Sequence, residues 1–173
     1  DEATLLDPLP VAVHAISLSG IEGGDDVLVL GTGPVGLCIG QAVRAYGANK
    51  VICTDVIDYS LKLAKELGID EVADMKKETA AEGLKRQGLK KVRIVFDTVG
   101  TEETQRAALS VLKESGTLVN LVVNNVELHY QLLDIAGERR IISSANNRTE
   151  DFLMGIKLIE NGIVNAGKMI THT

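Results

Sequence analysis

The chain has 173 residues, a formal net charge of -6 and a sequence pI near 5.1, with hydrophobic residues at 45% and aromatic residues at only 3%. An acidic balance speaks against a nucleic-acid backbone as partner, because binding one takes a basic face that releases counterions. No apolar run approaches the ~20 residues of a spanning helix and "DEATLLDPLP" lacks the basic start of a secretory signal, so a cytoplasmic domain with an aliphatic core is expected.

Taken in chain order, the first predicted element lies within residues 1–20. "DPLPVAVHAISLSG" reads as a helix with Asp7 as N-cap, Pro8 at the first helical position and Gly20 as the stop. Residues 26–30, "DVLVL", are continuously apolar, the pattern of a strand covered on both faces. The helix expected over 34–46 turns Val35, Cys38, Ile39, Ala42, Val43 and Tyr46 inward, with Gln41 and Arg44 outward. "KVICTD" (50–55) is a second strand, and "YSLKLAKELG" (59–68) a helix with Leu61, Ala64 and Leu67 inward.

A short strand at 71–75 and a polar helix near 78–87 lead to "VRIVFDTVG" (92–100), whose apolar run suits a central strand. Thr101 caps a helix to about Lys113, with Glu102 and Glu103 in its first turn. "TLVNLVV" (117–123) is a fifth strand and "RIISSA" (140–145) a sixth; "VELHYQLLDIAGE" between them has no assignable period. Thr149 caps a last helix that ends at Gly162. Six strands alternating with helices specify a single α/β domain over 1–173, a doubly wound parallel sheet of Rossmann type with order 3-2-1-4-5-6.

The apolar run of the first strand breaks into "GTGPVG", which fits G-x-G-x-x-G where a strand meets a helix. In that context Gly31 makes the turn, Gly33 lets the backbone approach a pyrophosphate and Gly36 lets the helix pack close. Asp55, at the end of the second strand, stands where an acid receives adenosine ribose hydroxyls; as a plain turn residue it would need no ligand. Cys38 and Cys53 sit in apolar neighbourhoods as buried hydrophobes, with a disulfide or metal pair as the alternative. His14, His129 and His172 share no ligand spacing.

"DPLPVAVHAI", "GDDVLVLGTGPVGLCIGQAVRAYGANKVICTD", "FDTVG" and "SGTLVNLV" together resemble the coenzyme domain of the medium-chain dehydrogenase/reductase family, the zinc-containing alcohol and polyol dehydrogenases. The resemblance covers essentially the whole chain. It implies pyrophosphate on the backbone of Gly33, Pro34 and Val35, beside Gly36, and ribose on Asp55. It places Val99 and Gly100 near the adenosine half, and Leu121, Val122, Val123, Ala145 and Asn146 near nicotinamide. The Cys, Gly-His-Glu and four-cysteine segments of that family's catalytic domain are not in this sequence, so the chain reads as a coenzyme domain without its catalytic domain.

In sorbitol- and threonine-dehydrogenase-like members an acidic residue before Pro-Leu faces the catalytic zinc, and Asp7 matches it. A lone carboxylate cannot make a tetrahedral zinc site, and Asp7 also suits a helix cap. The resemblance thus implies NAD as cofactor, zinc only in the intact enzyme, and a homodimer through the edge of the sixth strand. Alternatives are a zinc-free quinone-reductase-like member and a non-catalytic NAD(H)-sensing module. "VIDY" (56–59) brings no cation to a 2′-phosphate, so NAD(H) is expected over NADP(H).

Overall fold

A computed structural model describes residues 2–170; Asp1 and residues 171–173, His172 among them, lie outside the described residues. Strands β1 (Val27–Leu30), β2 (Val51–Asp55), β3 (Glu71–Asp74), β4 (Val92–Asp97), β5 (Leu112–Asn120) and β6 (Arg140–Ser143) form one parallel sheet of order β3-β2-β1-β4-β5-β6. The expected topology is therefore the observed one. Four of the five crossovers are filled by a helix, α2 (Pro34–Ala42), α3 (Asp58–Glu66), α4 (Ala80–Arg86) and α5 (Glu102–Val111), and the fifth, from β5 to β6, holds only a 3-10 turn at Leu132–Ile135. Preceding them is α1 (Pro8–Ser19), and α6 (Thr149–Glu160) and α7 (Ala166–Met169) follow the sheet.

The two-residue period of a strand divides the core into two layers. Val27 and Val29 of β1 join Val51, Cys53, Phe96 and Val119 under α1, α2 and α6, whereas Leu28 and Leu30 join Ile52, Val95 and Leu118 under α4 and α5. All of these are essentially inaccessible to water. This is why β1 reads as an unbroken apolar run: no residue of it has a solvent side.

Several boundaries and orientations differ from expectation. The helix over 34–46 is α only to Ala42 and tightens to 3-10 over Val43–Tyr46, ending on Gly47 at φ 90°. Gln41 is buried, not outward. Its amide donates to the Leu37 carbonyl and its oxygen accepts from the Asn165 N–H, so it ties α2 to the segment before α7. The helix after Thr101 stops at Val111 and β5 begins at Leu112, because the chain pairs with β4 from Val92 onward and then shifts register before Ile94.

Asp7 does flank α1 and Pro8 does open it, but Asp7 has helical dihedrals (φ -94°, ψ -62°) and makes no side-chain cap hydrogen bond. A capping residue needs extended backbone to turn its oxygen onto the first amides, so its expected cap role is corrected. At α6 the N-cap is Arg148 and Thr149 is the first helical residue; Asp151 closes the turn by accepting the Arg148 N–H at 2.8 Å. Thr101, in contrast, caps α5 as expected, accepting from the Thr104 N–H.

Candidate functional site

The parallel register brings the strands to a common end. Thr54, Leu30, Asp97, Asn120 and Ser143 are successive partners across β2, β1, β4, β5 and β6. The ladder then runs one step further: the amides of Gly31, Thr98, Leu121 and Ser144 donate to the carbonyls of Thr54, Leu30, Asp97 and Asn120. Every candidate cofactor residue outside α2 therefore leaves the sheet within three residues of this row. Residues scattered over the sequence from 31 to 146 become one edge, on the side where open α/β sheets bind ligands.

The three glycines of "GTGPVG" answer to three different constraints. Gly31 has φ +96°, and a Cβ there would lie 2.4 Å from the Thr98 hydroxyl and 2.8 Å from Val99. Gly36 is buried, with an added Cβ 2.0 Å from the Gly31 carbonyl oxygen, so it sets how closely α2 approaches β1. At Gly33 nothing of the chain lies within 4 Å of an added Cβ. Chain packing does not require glycine at 33; a closely approaching ligand would.

Gly33 is also the extended N-cap of α2, with no side chain to cover the first amides. Pro34, the first helical residue, has no N–H, so the amides at this helix start are those of Gly33, Val35 and Gly36 and the expected pyrophosphate donor at Pro34 is corrected. Gly33 and Pro34 are exposed and Val35 is half-buried, so this helix end is open to solvent.

Asp55, half-buried at the end of β2, accepts four hydrogen bonds. One carboxylate oxygen takes the Thr32 N–H at 2.6 Å and the Thr32 hydroxyl at 2.7 Å; the other takes the N–H groups of Val56 at 2.7 Å and Ile57 at 3.0 Å. Partial burial pushes the carboxyl up, but these hydrogen bonds outweigh it and hold Asp55 below its ordinary value. The acid is ionised, fixed, and bound directly to the glycine loop.

Across the crevice, the fully buried Asp97 shapes the next turn. One oxygen accepts from Val99 and Gly100 N–H at 2.9 and 3.0 Å, the other from the Thr104 hydroxyl and the Gln105 amide at 2.8 and 2.6 Å. Gly100, at φ +70°, lies where an added Cβ would meet Val122 at 2.7 Å. Gly100, Val122 and Val123 line one hollow with Asn120 and Asn124, whose amide donates to the Gly100 carbonyl at 2.8 Å.

Gly31, Val99, Gly100, Val122 and Val123 are thus brought together. Leu121 leaves the same row, but its partly buried side chain packs against the core layer that includes α1. Ala145 and Asn146 are exposed one strand further on, Asn146 in the left-handed region at φ 60°. A separate hollow between α5 and residues 128–134 contains none of the glycine-loop residues.

Sequence reasoning missed Thr32 and Asp97. Thr32 stands between two motif glycines where any residue fits the pattern, and its partner is 23 positions away. Asp97 follows an apolar strand and looks like an ordinary turn acid. Cys38 and Cys53 are free and buried, with both thiols pushed up to about 12 by desolvation, which leaves them unreactive at neutral pH.

Among the described residues no group of three or more His, Cys, Asp or Glu side chains could hold a metal. Asp7 is exposed and isolated from such a set, so the described residues do not by themselves fit a zinc ion. Nor is any helix among them long and apolar enough to cross a membrane.

Known proteins place the chain in a family. Residues 34–161 match the family model described as zinc-binding dehydrogenase. Sorbitol dehydrogenase 1 of Saccharomyces cerevisiae is 31% identical over 180 residues, covering 99% of this chain and 50% of that protein, and sheep sorbitol dehydrogenase is 30% identical over 175 residues, covering 99% and 49%. The chain thus spans about half the length of the curated relatives it matches.

Among solved structures, an Escherichia coli alcohol dehydrogenase complexed with NADH superposes with a TM-score of 0.89 at 26% identity, over 98% of this chain and 50% of that one. A zinc-binding dehydrogenase of Sinorhizobium meliloti bound to NADP gives 0.87, also at 26% identity, over 98% and 51%. With the sheet order and the matched residues in agreement, this chain belongs to the zinc-binding dehydrogenase family, of which it carries the Rossmann-type coenzyme-binding part.

Proposed function

We propose that this chain binds NAD(H) and presents the nicotinamide ring for hydride transfer in an alcohol or polyol dehydrogenase. The observation that carries the reading is Gly33: a side chain there would meet nothing of the protein, yet the position lies on the uncapped end of α2, 22 residues before a fixed carboxylate. Bound nicotinamide supplies the hydride acceptor or donor. The chain's own residues do the holding. The N–H groups of Gly33, Val35 and Gly36 face the pyrophosphate, Asp55 takes the adenosine ribose, and Val99 and Gly100 border the adenosine half. The backbone of Leu121 to Val123 and the end of β6 at Ala145 and Asn146 flank the nicotinamide.

NAD(H) is favoured over NADP(H) because a 2′-phosphate would remove a ribose donor and place its charge against Asp55. Asp58 follows at the start of α3 and adds to the repulsion; the cation nearest to it, Lys76, lies 3.7 Å from that second carboxylate. Substrate recognition and any zinc are assigned to a catalytic domain, toward which exposed Asp7 would be turned. No zinc-dependent step is derived for this chain.

Calorimetric titration with both coenzymes tests the reading. The expected result is tighter NAD binding by at least about tenfold, ~1.4 kcal/mol, with no turnover of alcohols or polyols by this chain alone when zinc is added. Equal or tighter NADP binding would overturn the ribose assignment, and stoichiometric zinc-dependent turnover would overturn the division of labour.

A further inference from the structure

We infer that Thr32 is a positioning residue for coenzyme selectivity: its hydroxyl clasps the glycine loop to Asp55 and holds that carboxylate in place for a ribose diol. The inference rests on the proposed NAD(H) site and adds a residue that no glycine pattern specifies.

Three of the four donors to Asp55 are backbone N–H groups, which any residue at 32, 56 or 57 except proline would supply. The fourth is the Thr32 hydroxyl, the one donor that depends on side-chain identity. Thr32 is itself only 1% exposed, so its hydroxyl reaches Asp55 from the protein side, whereas Asp55 keeps an accessible part for a ligand. A buried hydroxyl pointed elsewhere would lose its partner, which makes the clasp costly to open.

The clasp joins the two parts of the adenosine site. Thr32 lies between Gly31 and Gly33, so fixing its side chain on Asp55 fixes the loop that faces the pyrophosphate relative to the acid that faces the ribose. Both are then ordered before coenzyme arrives, and less ordering remains to be done on binding. A ligand with a free 2′-hydroxyl gains most from the placement of Asp55, because both ribose hydroxyls can donate to it. NADP keeps only its 3′-hydroxyl as donor and sets its 2′-phosphate charge against the carboxylate.

Thr32→Val keeps the shape and removes the donor, and Thr32→Ser keeps the donor. The valine variant is expected to bind NAD about tenfold more weakly and NADP within about twofold of the parent chain, so that the preference narrows; the serine variant should restore the parent values for both. In the coenzyme-free chain, carbon-detected NMR titration should show the Asp55 carboxyl titrating at higher pH in Thr32→Val than in the parent or Thr32→Ser. Its ionisable surroundings are unchanged by the substitution: Cys53 two residues before it on β2, Asp58 at the start of α3 with Lys76, and Asp74 at the end of β3 with Lys77 just beyond.

Equal weakening of NAD and NADP by Thr32→Val would show a merely structural role in the loop and overturn the inference, as would unchanged NAD binding or an unmoved Asp55 titration. Should Thr32→Val not fold, Thr32→Ala carries the same comparison. If the parent chain binds neither coenzyme, the functional reading fails, and the ligand-free titration still decides whether the clasp holds Asp55.

Discussion

Gly33 and Gly36 lie three residues apart in one motif and are constrained by different things. Alanine at Gly36 would put a Cβ against the Gly31 carbonyl, backbone that cannot swing away, and alanine at Gly33 would touch nothing. Gly36→Ala is therefore expected to destabilise the fold by about 1–3 kcal/mol or more, the usual range for overpacking, in a denaturant melt. Gly33→Ala should melt with the parent chain and yet lose coenzyme affinity by tenfold or more in the same titration calorimetry. If Gly33→Ala binds NAD normally, the open space over this residue is not where the pyrophosphate sits.

At the scale of elements, α1 and α6 meet at a buried polar pair, His14 with Asp151 at 2.9 Å between Nδ1 and Oδ2, a close approach without hydrogen-bond geometry. Asp151 accepts the Arg148 N–H at the start of α6, and burial and the Asp151 charge together raise the nearby Tyr46 hydroxyl. This one carboxylate both starts its helix and faces α1. Asp151→Ala is expected to cost about 0.5–2 kcal/mol, the loss of the acceptor that closes the first turn of α6, measured as a lower denaturation midpoint with unchanged slope. A variant as stable as the parent would show that the helices are held by their apolar contacts alone, the close approach of Gly155 to Leu9 among them.

At the scale of the molecule, β6 closes the sheet on one side with no further strand beyond it among the described residues, and Ile141 on it is 40% exposed. Val123, Leu132 and Leu133 are exposed at 90%, 83% and 75% along the segment that leads to it. We propose that two copies of the chain pair through this edge, since an uncovered strand offers unpaired backbone groups to another. Sedimentation at high micromolar concentration should show a dimer that Ile141→Lys shifts toward monomer. A parent chain that sediments as monomer over that range would refute pairing through β6 by this chain alone.

How much of this was legible beforehand depends on the range over which each residue is constrained. The unbroken apolar run of β1, the glycine stop of α1 and the Thr101 cap follow from local chemistry, and so does the sheet order, because strands alternating with helices leave few right-handed ways to close a parallel sheet. Gly31, Gly33, Gly36 and Asp55 could be read because strand ends and helix starts are themselves local signals. Gln41 could not: its polar side chain looks outward on a helical wheel, and only the segment before α7, more than a hundred residues later, gives it a partner. Asp7 has the composition of a cap and not the backbone of one.

The sequence by itself determined the doubly wound sheet and the place of its glycine loop, since hydrophobic period and turn chemistry act over a few residues. Only the tertiary structure decided that Thr32 holds Asp55 and that Asp97 shapes the turn facing Val122. Those hydrogen bonds and contacts join groups that become neighbours only when the strand ends align in register.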